Sequence, residues 1–136
     1  RHHGKKTTSL METSGILEEH SSKLFRGTID FLRGCSGAKG DEREDILMLG
    51  DDLVNQTIPL ILCQEEDVEG NHGASMGKLD DSVLYYLSSR GIPEEKAEQI
   101  MARARIDAVC DRIPQETVRK LVEEYLGTEE DTDETV

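Results

Sequence analysis

Residues Cys63–Pro93 read CQEEDVEGNHGASMGKLDDSVLYYLSSRGIP, a small-residue stretch around His72 that runs directly into a helix with its own start and stop signals. Gly70, Gly73, Ala74 and Gly77 let the backbone turn tightly and approach a partner closely, so the stretch reads as a loop presenting His72, the only histidine in this half of the chain. An imidazole among small residues can offer a ring nitrogen to a metal or a proton donor. A turn histidine without any ligand role fits the same residues, because one ligand is not a site. The neighbouring Glu65, Glu66, Asp67 and Glu69 are hard oxygen donors or, equally, a solvated charge run.

Downstream the pattern is helical. Asp80 or Asp81 can cap a helix bearing Val83, Leu84 and Leu87, with Gly91 as its left-handed stop. Pro93 in a first-turn position, followed by Glu94 and Glu95, opens a second helix with Ala97, Ile100, Met101, Ala104 and Ala108 on one face, running to about Arg112. Pro114 opens a third, striped by Val118, Leu121, Val122 and Tyr125 and stopped by Gly127. Three short, closely linked helices form a small packed cap. Tyr85 and Tyr86 lie on adjacent faces of the first helix, so one is expected to pack inward while the other reaches the surface.

Upstream, short apolar stretches recur at Ile16–Leu17, Leu24–Phe25, Ile29–Leu32, Ile46–Leu49 and Ile58–Cys63, separated by Gly, Ser, Asp and Asn. No separator is a two-residue Asn-Gly or Asp-Gly hairpin turn. Stacked coils with open turns explain this better than an antiparallel meander. The segment Arg33–Gly40, RGCSGAKG, then forms a wide loop between coils, and Pro59 takes an early or edge position in its strand. Composition changes at Leu79–Asp80, giving a strand block over 1–78, helices over 79–127 and an acidic tail, 128–136, expected to be disordered.

With 136 residues the chain is the size of one domain, and at 35% apolar content with no Trp its core should be thin and built from Leu, Ile, Val and Met. A net charge of −13, from 29 acidic against 16 basic side chains, repels nucleic-acid phosphates and anionic lipid surfaces. No run approaches the roughly 18 apolar residues of a membrane span. Cys35, Cys63 and Cys110 are odd in number and widely spaced, which points to a reduced, cytoplasmic setting. Arg1 in place of an initiating Met suggests a fragment or processed piece.

No HxxxH, HExxH, paired CxxC or phosphate-binding GxxxxGK[ST] occurs. Cys63, ending the most apolar strand, reads as a small buried hydrophobe; Cys35, in the Gly-rich loop, as an exposed thiol with no neighbouring base; Cys110 as core or boundary. His2 and His3 with Thr7, Thr8 and Ser9 match neither a triad nor an ordinary metal pair.

The run Asp67–Pro93 resembles the C-terminal signature of the SufB/SufD family of iron–sulfur cluster assembly scaffold proteins, and within it the SufD-like members. An acidic-Val stretch leads to His72-Gly73-Ala74, then Gly77-Lys78-Leu79-Asp80, then the Tyr86-Leu87-Ser88-Ser89-Arg90-Gly91-Ile92 helix end. Upstream, a His-x-x-x-x-Thr-x-Ser pattern is matched with shifted spacing by His3, Thr8 and Ser9, and Phe-x-Gly-x-Ile by Phe25, Gly27 and Ile29. Gly70 stands where many SufD-like members have Cys, which weakens any expectation that this chain supplies sulfur ligands by itself, and the family's Gln in the strand before the last coils is replaced by Glu44 or absent.

The resemblance implies the last coils of a right-handed parallel β-helix followed by a three-helix C-terminal subdomain, as part of a longer subunit. It implies a SufC-type ATPase docking on the helical segment Asp80–Ile113, where Leu84, Tyr85, Tyr86 and Arg90 are the candidate contacts, and a SufB-type subunit or a second copy pairing through the strands before Cys63. His72 is the candidate metal residue, assisting a nascent iron–sulfur cluster in the complex, with no cofactor bound by this chain alone. The function so implied is a non-catalytic scaffold. An adaptor that only binds the ATPase through its helices is the alternative, and an independent enzyme ranks below both because no nucleophile and base are paired.

Overall fold

The structure, a computed structural model, describes residues 1–130, with side chains through residue 126. Among the described residues it holds five strands, β1 Thr8–Glu18, β2 Ser22–Phe31, β3 Ala38–Leu49, β4 Val54–Cys63 and β5 Val68–Gly77, then three helices, α1 Asp81–Ser89, α2 Glu94–Cys110 and α3 Glu116–Glu130. The chain divides into two compact units, Arg1–Asp80 and Asp81 onward.

Strands alternate between two sheets, β1-β3-β5 and β2-β4, and every named pairing is parallel. Parallel neighbours cannot be joined by tight reversals, which agrees with the absence of hairpin turns in the sequence. Thr8 sits opposite Lys39, and Lys39 opposite Glu69; Gly27 sits opposite Pro59. Side chains alternate faces along a strand, and β3 buries Ala38, Gly40, Glu42, Glu44 and Ile46. Their register partners on β5, including Gly70, His72 and Ala74, lie on that same face.

The core gathers Ile29, Phe31, Cys35 and Ala38, with Met11, Ile61 and Val68 packed against it, so every strand contributes. An aromatic ring at its centre replaces the expected purely aliphatic core. Space for that ring comes from two glycines: a Cβ on Gly40 would lie 3.1 Å from Phe31 Cζ and 2.7 Å from Ile29 Cγ2, and one on Gly70 would lie 3.1 Å from Phe31 Cε2.

Here the loop expected around His72 is corrected. Val68–Gly77 is a strand, because its small residues complete a ladder with Ala38–Leu47 and Gly70 lets it approach Phe31 and Ile61. The wide loop at Arg33–Gly40 shrinks to a turn, in which Cys35 N–H donates to Leu32 O and Ala38 N–H to Cys35 O. That turn folds inward, so Cys35 is buried where exposure was expected, and burial followed by the charge of Glu65 pushes its thiol up, away from nucleophile behaviour. Cys63, expected buried, is exposed at the end of β4, which among the described residues has only β2 beside it in its sheet. All three cysteines are free and Cys110 is buried. Pro59 lies mid-strand, on an edge.

In the helical unit, Pro93 takes the N-cap of α2 at φ −60° and ψ 155°, and Gly91 adopts φ +85° after α1. The expected stop at Gly127 does not occur: α3 passes through it to Glu130, since a glycine ends a helix only where it takes the left-handed turn that Gly91 takes. The rest of the acidic tail, residues 131–136, lies outside the described residues. Tyr85 and Tyr86 are both exposed, at 78% and 55%, rather than split between inside and outside, because α1 buries none of its residues.

Replacing Phe31 with Ala removes the fully buried ring of the core cluster and is expected to cost about 3–5 kcal/mol. Tyr85→Ala, at an exposed site, is expected to stay within about 0.5 kcal/mol. Urea unfolding of the two variants beside the parent checks the difference.

Candidate functional site

Toward the other end of the strand stack the interior turns polar. Lys23 on β2 reaches across to Glu44 on β3 in a buried ion pair and donates to Asn55 Oδ1 at 2.8 Å and Thr57 Oγ1 at 3.3 Å on β4. Thr57 Oγ1 in turn donates to Glu44 Oε2 at 2.6 Å. Both Glu44 oxygens are thus satisfied, the condition under which a buried charge is tolerated. Burial alone would push the Glu44 carboxyl up, but the hydrogen bonds from Lys23 and Thr57, the Lys23 charge and then His72 outweigh it and hold the group below its usual range.

His72 stands on β5, the outer strand of its sheet, solvent-exposed and opposite Glu42 in register. Its influence on Glu44 ties it electrostatically to the Lys23 network. Glu42 is buried, with neither carboxylate oxygen hydrogen-bonded among the described residues. The arrangement brings together an exposed imidazole and two interior carboxylates, one fully compensated and one not. That donor set suits a divalent cation or a proton and contains no sulfur.

Reading the sequence for ligands singled out His72 but missed Glu42 and Lys23. Within DERED at 41–45 every residue is charged, so hydrophobicity cannot show which ones face inward. The available signal was the alternation Ala38, Gly40, Ile46, which places 42 and 44 on the same face.

His2 is the buried histidine near the start, and His3 beside it is exposed. Its ring stacks on Phe31 at 4.8 Å between centroids, Nδ1 lies 2.6 Å from Thr7 Oγ1 and Nε2 2.8 Å from Ser9 Oγ. The His-x-x-x-x-Thr-x-Ser spacing is therefore met without a shift by His2, Thr7 and Ser9. With both nitrogens engaged and the residue buried, His2 serves the fold. Glu19, His20 and Asp52 hold ligand atoms within 4.8 Å of one another, but all three are exposed and Glu19 accepts the backbone N–H groups of Asp51 and Asp52, closing a turn.

On α1, Leu84 is half-buried while Tyr85 and Tyr86 are exposed, as is Arg90 in the turn that follows; the Arg90 guanidinium lies 5.3 Å from the Tyr86 ring centroid and Ser89 Oγ donates to Tyr86 O. No helix among the described residues is long and apolar enough to cross a membrane.

The strand unit thus pairs its strands in parallel and in register, carries a polar interior beside an exposed histidine, and is followed in the chain by a helical unit. The chain belongs to the SufB/SufD family: residues 1–105 match the SufBD core domain of the SUF system for FeS cluster assembly. It is 34% identical over 119 residues to the iron–sulfur cluster assembly protein SufD of Bacillus subtilis, covering 88% of this chain and 27% of that protein. A chloroplastic SufBD family protein of Arabidopsis thaliana is 30% identical over 115 residues, with 85% of this chain and 21% of that protein covered. A SufBD family protein of Staphylococcus saprophyticus is 28% identical over 115 residues, with 85% and 25% covered. The chain spans about a quarter of the length of these curated relatives. They are named as assembly proteins.

Lys23→Met strips Glu44 of its counter-charge and is expected to destabilise the strand unit by about 3 kcal/mol, with Glu44→Gln restoring much of the loss. Because the folded-state pKa of Glu44 is depressed, its contribution is complete above the ordinary carboxylate value of about 4.3 and disappears as pH falls through the lower folded value. Thermal midpoints between neutral and acid pH should therefore drop more steeply for the parent than for Glu44→Gln.

Proposed function

We propose that the protein is a non-catalytic scaffold of a Suf-type iron–sulfur cluster assembly complex, with the nascent cluster as cargo. In this reading β1–β5 are the last coils of a right-handed parallel β-helix and α1–α3 are its C-terminal helical subdomain. A SufB-type subunit, or a second copy, pairs with the strand unit at β5. A SufC-type ATPase docks on the helices through Leu84, Tyr85, Tyr86 and Arg90. The observation that carries the reading is the exposed His72 on the outer strand, beside the interior carboxylates, in a chain of this family.

Physically, the outer position of β5 leaves its second edge unpaired within the described residues, and an unpaired strand edge is a ready template for another chain. A partner docking there would bring its own ligands to His72, so this chain needs to supply only part of a metal site. The scaffold holds geometry, and ATP hydrolysis by the partner supplies motion. Three free thiols support a reducing compartment.

The alternative adaptor reading rests on the exposed Tyr85, Tyr86 and Arg90 and gives His72 no ligand role. The two separate cleanly when the full-length subunit is co-expressed anaerobically with a SufC-type ATPase and a SufB-type partner. The scaffold reading expects co-purification with a visible iron–sulfur chromophore that His72→Ala diminishes, while Tyr86→Ala with Arg90→Ala releases the ATPase. A full chromophore in His72→Ala leaves only the adaptor, and no co-purification removes both readings.

A further inference from the structure

Glu42 is 1% exposed and neither of its carboxylate oxygens has a hydrogen-bond partner among the described residues. A buried carboxylate without a partner is costly, and the obvious counter-charge is already committed, because Lys23 serves Glu44, Asn55 and Thr57. The fold nevertheless makes room for this group. A Cβ on Gly27, on the facing strand β2, would fall 1.9 Å from Glu42 Oε1 and 2.4 Å from Oε2, so the carboxylate occupies the space that any side chain at 27 would take.

Register identifies what can answer the orphaned charge. The column through Glu42 runs Met11, Glu42, His72. Met11 is apolar, while His72 is one strand spacing away, roughly 4.8 Å, on the same face and at the solvent-open side of the sheet. No hydrogen bond joins the two side chains, since both Glu42 oxygens are unpartnered. A carboxylate oxygen and an imidazole nitrogen on neighbouring strands, both without a mutual bond, are the donor pair of a first-row divalent cation. Such a cation would supply the missing positive charge as well as the missing contact.

We propose that Glu42 and His72 together bind one divalent transition-metal cation at the open side of the strand stack, with a carboxylate oxygen from Glu42 and a ring nitrogen from His72. The remaining positions are left to water or to groups from a partner. This rests on the scaffold reading only in taking His72 as a ligand; it adds the second ligand and defines the cargo at this residue as a cation held before any sulfur arrives.

Anaerobic calorimetric titration of the full-length subunit with Co²⁺ tests it. One saturable site is expected, weakened at least about tenfold in His72→Ala and in the isosteric Glu42→Gln. Gly27→Ala retains both ligands but fills the carboxylate's space, and should weaken binding comparably. Co²⁺ should raise the melting temperature of the parent and not of Glu42→Gln, with circular dichroism reporting that the variant is folded. Parent-like Co²⁺ affinity in folded Glu42→Gln overturns the proposal, as does a parent with no saturable site. Either result leaves co-purification with the ATPase and SufB-type partner untouched, so loss of this site and loss of the scaffold reading are separate findings.

Discussion

Stacking in parallel register is the constraint on which the strand unit depends. Once β1, β3 and β5 lie side by side in step, and β2 pairs with β4 in step, each inward residue stands over its counterpart in the next strand. The cluster of Ile29, Phe31, Cys35 and Ala38 with Met11, Ile61 and Val68 draws on all five strands for that reason, and Lys23, Glu44 and Thr57 meet although they lie on three different strands. A slip by one residue would turn every one of these side chains to the opposite face. The glycines at 40 and 70, which clear space around one ring from two adjacent strands, would lose their purpose in the same step.

The interior built this way is divided in character. Around Phe31 it is apolar and closed, and His2 seals it with both ring nitrogens engaged. Around Glu44 it is charged but compensated, and beside it the Glu42 carboxyl has no hydrogen-bond partner among the described residues. Ion pairs of this kind contribute little net stability, because desolvation offsets most of the attraction. Their placement gives the strand unit a polar interior beside the exposed imidazole of His72.

Local chemistry in the helical half was legible residue by residue. Pro93 and Gly91 act on the backbone they occupy: Gly91 takes the left-handed stop as the sequence suggests, and Pro93 opens α2 from the N-cap instead of the first turn. Parallel pairing was legible too, through the missing hairpin turns. The segment around His72 was misread as a loop because Gly, Ala and Ser have little strand propensity of their own; β3 beside it supplies the ladder that makes it a strand. Cys35 and Cys63 exchanged their expected burial for a similar reason: a turn that folds beneath the core hides one, and an edge strand without an outer neighbour exposes the other.

The amino-acid order alone determined the division into a strand half and a helical half, the helix starts, the parallel return of the strands and the singular position of His72. These rest on propensities, caps and spacings that act over a few residues. Tertiary structure alone decided which charges of DERED at 41–45 turn inward, that Lys23 answers Glu44 while Glu42 is unanswered, and that His72 stands over Glu42 at an open strand. Those facts depend on which distant strands become neighbours, and burial is set by neighbours rather than by the residue itself.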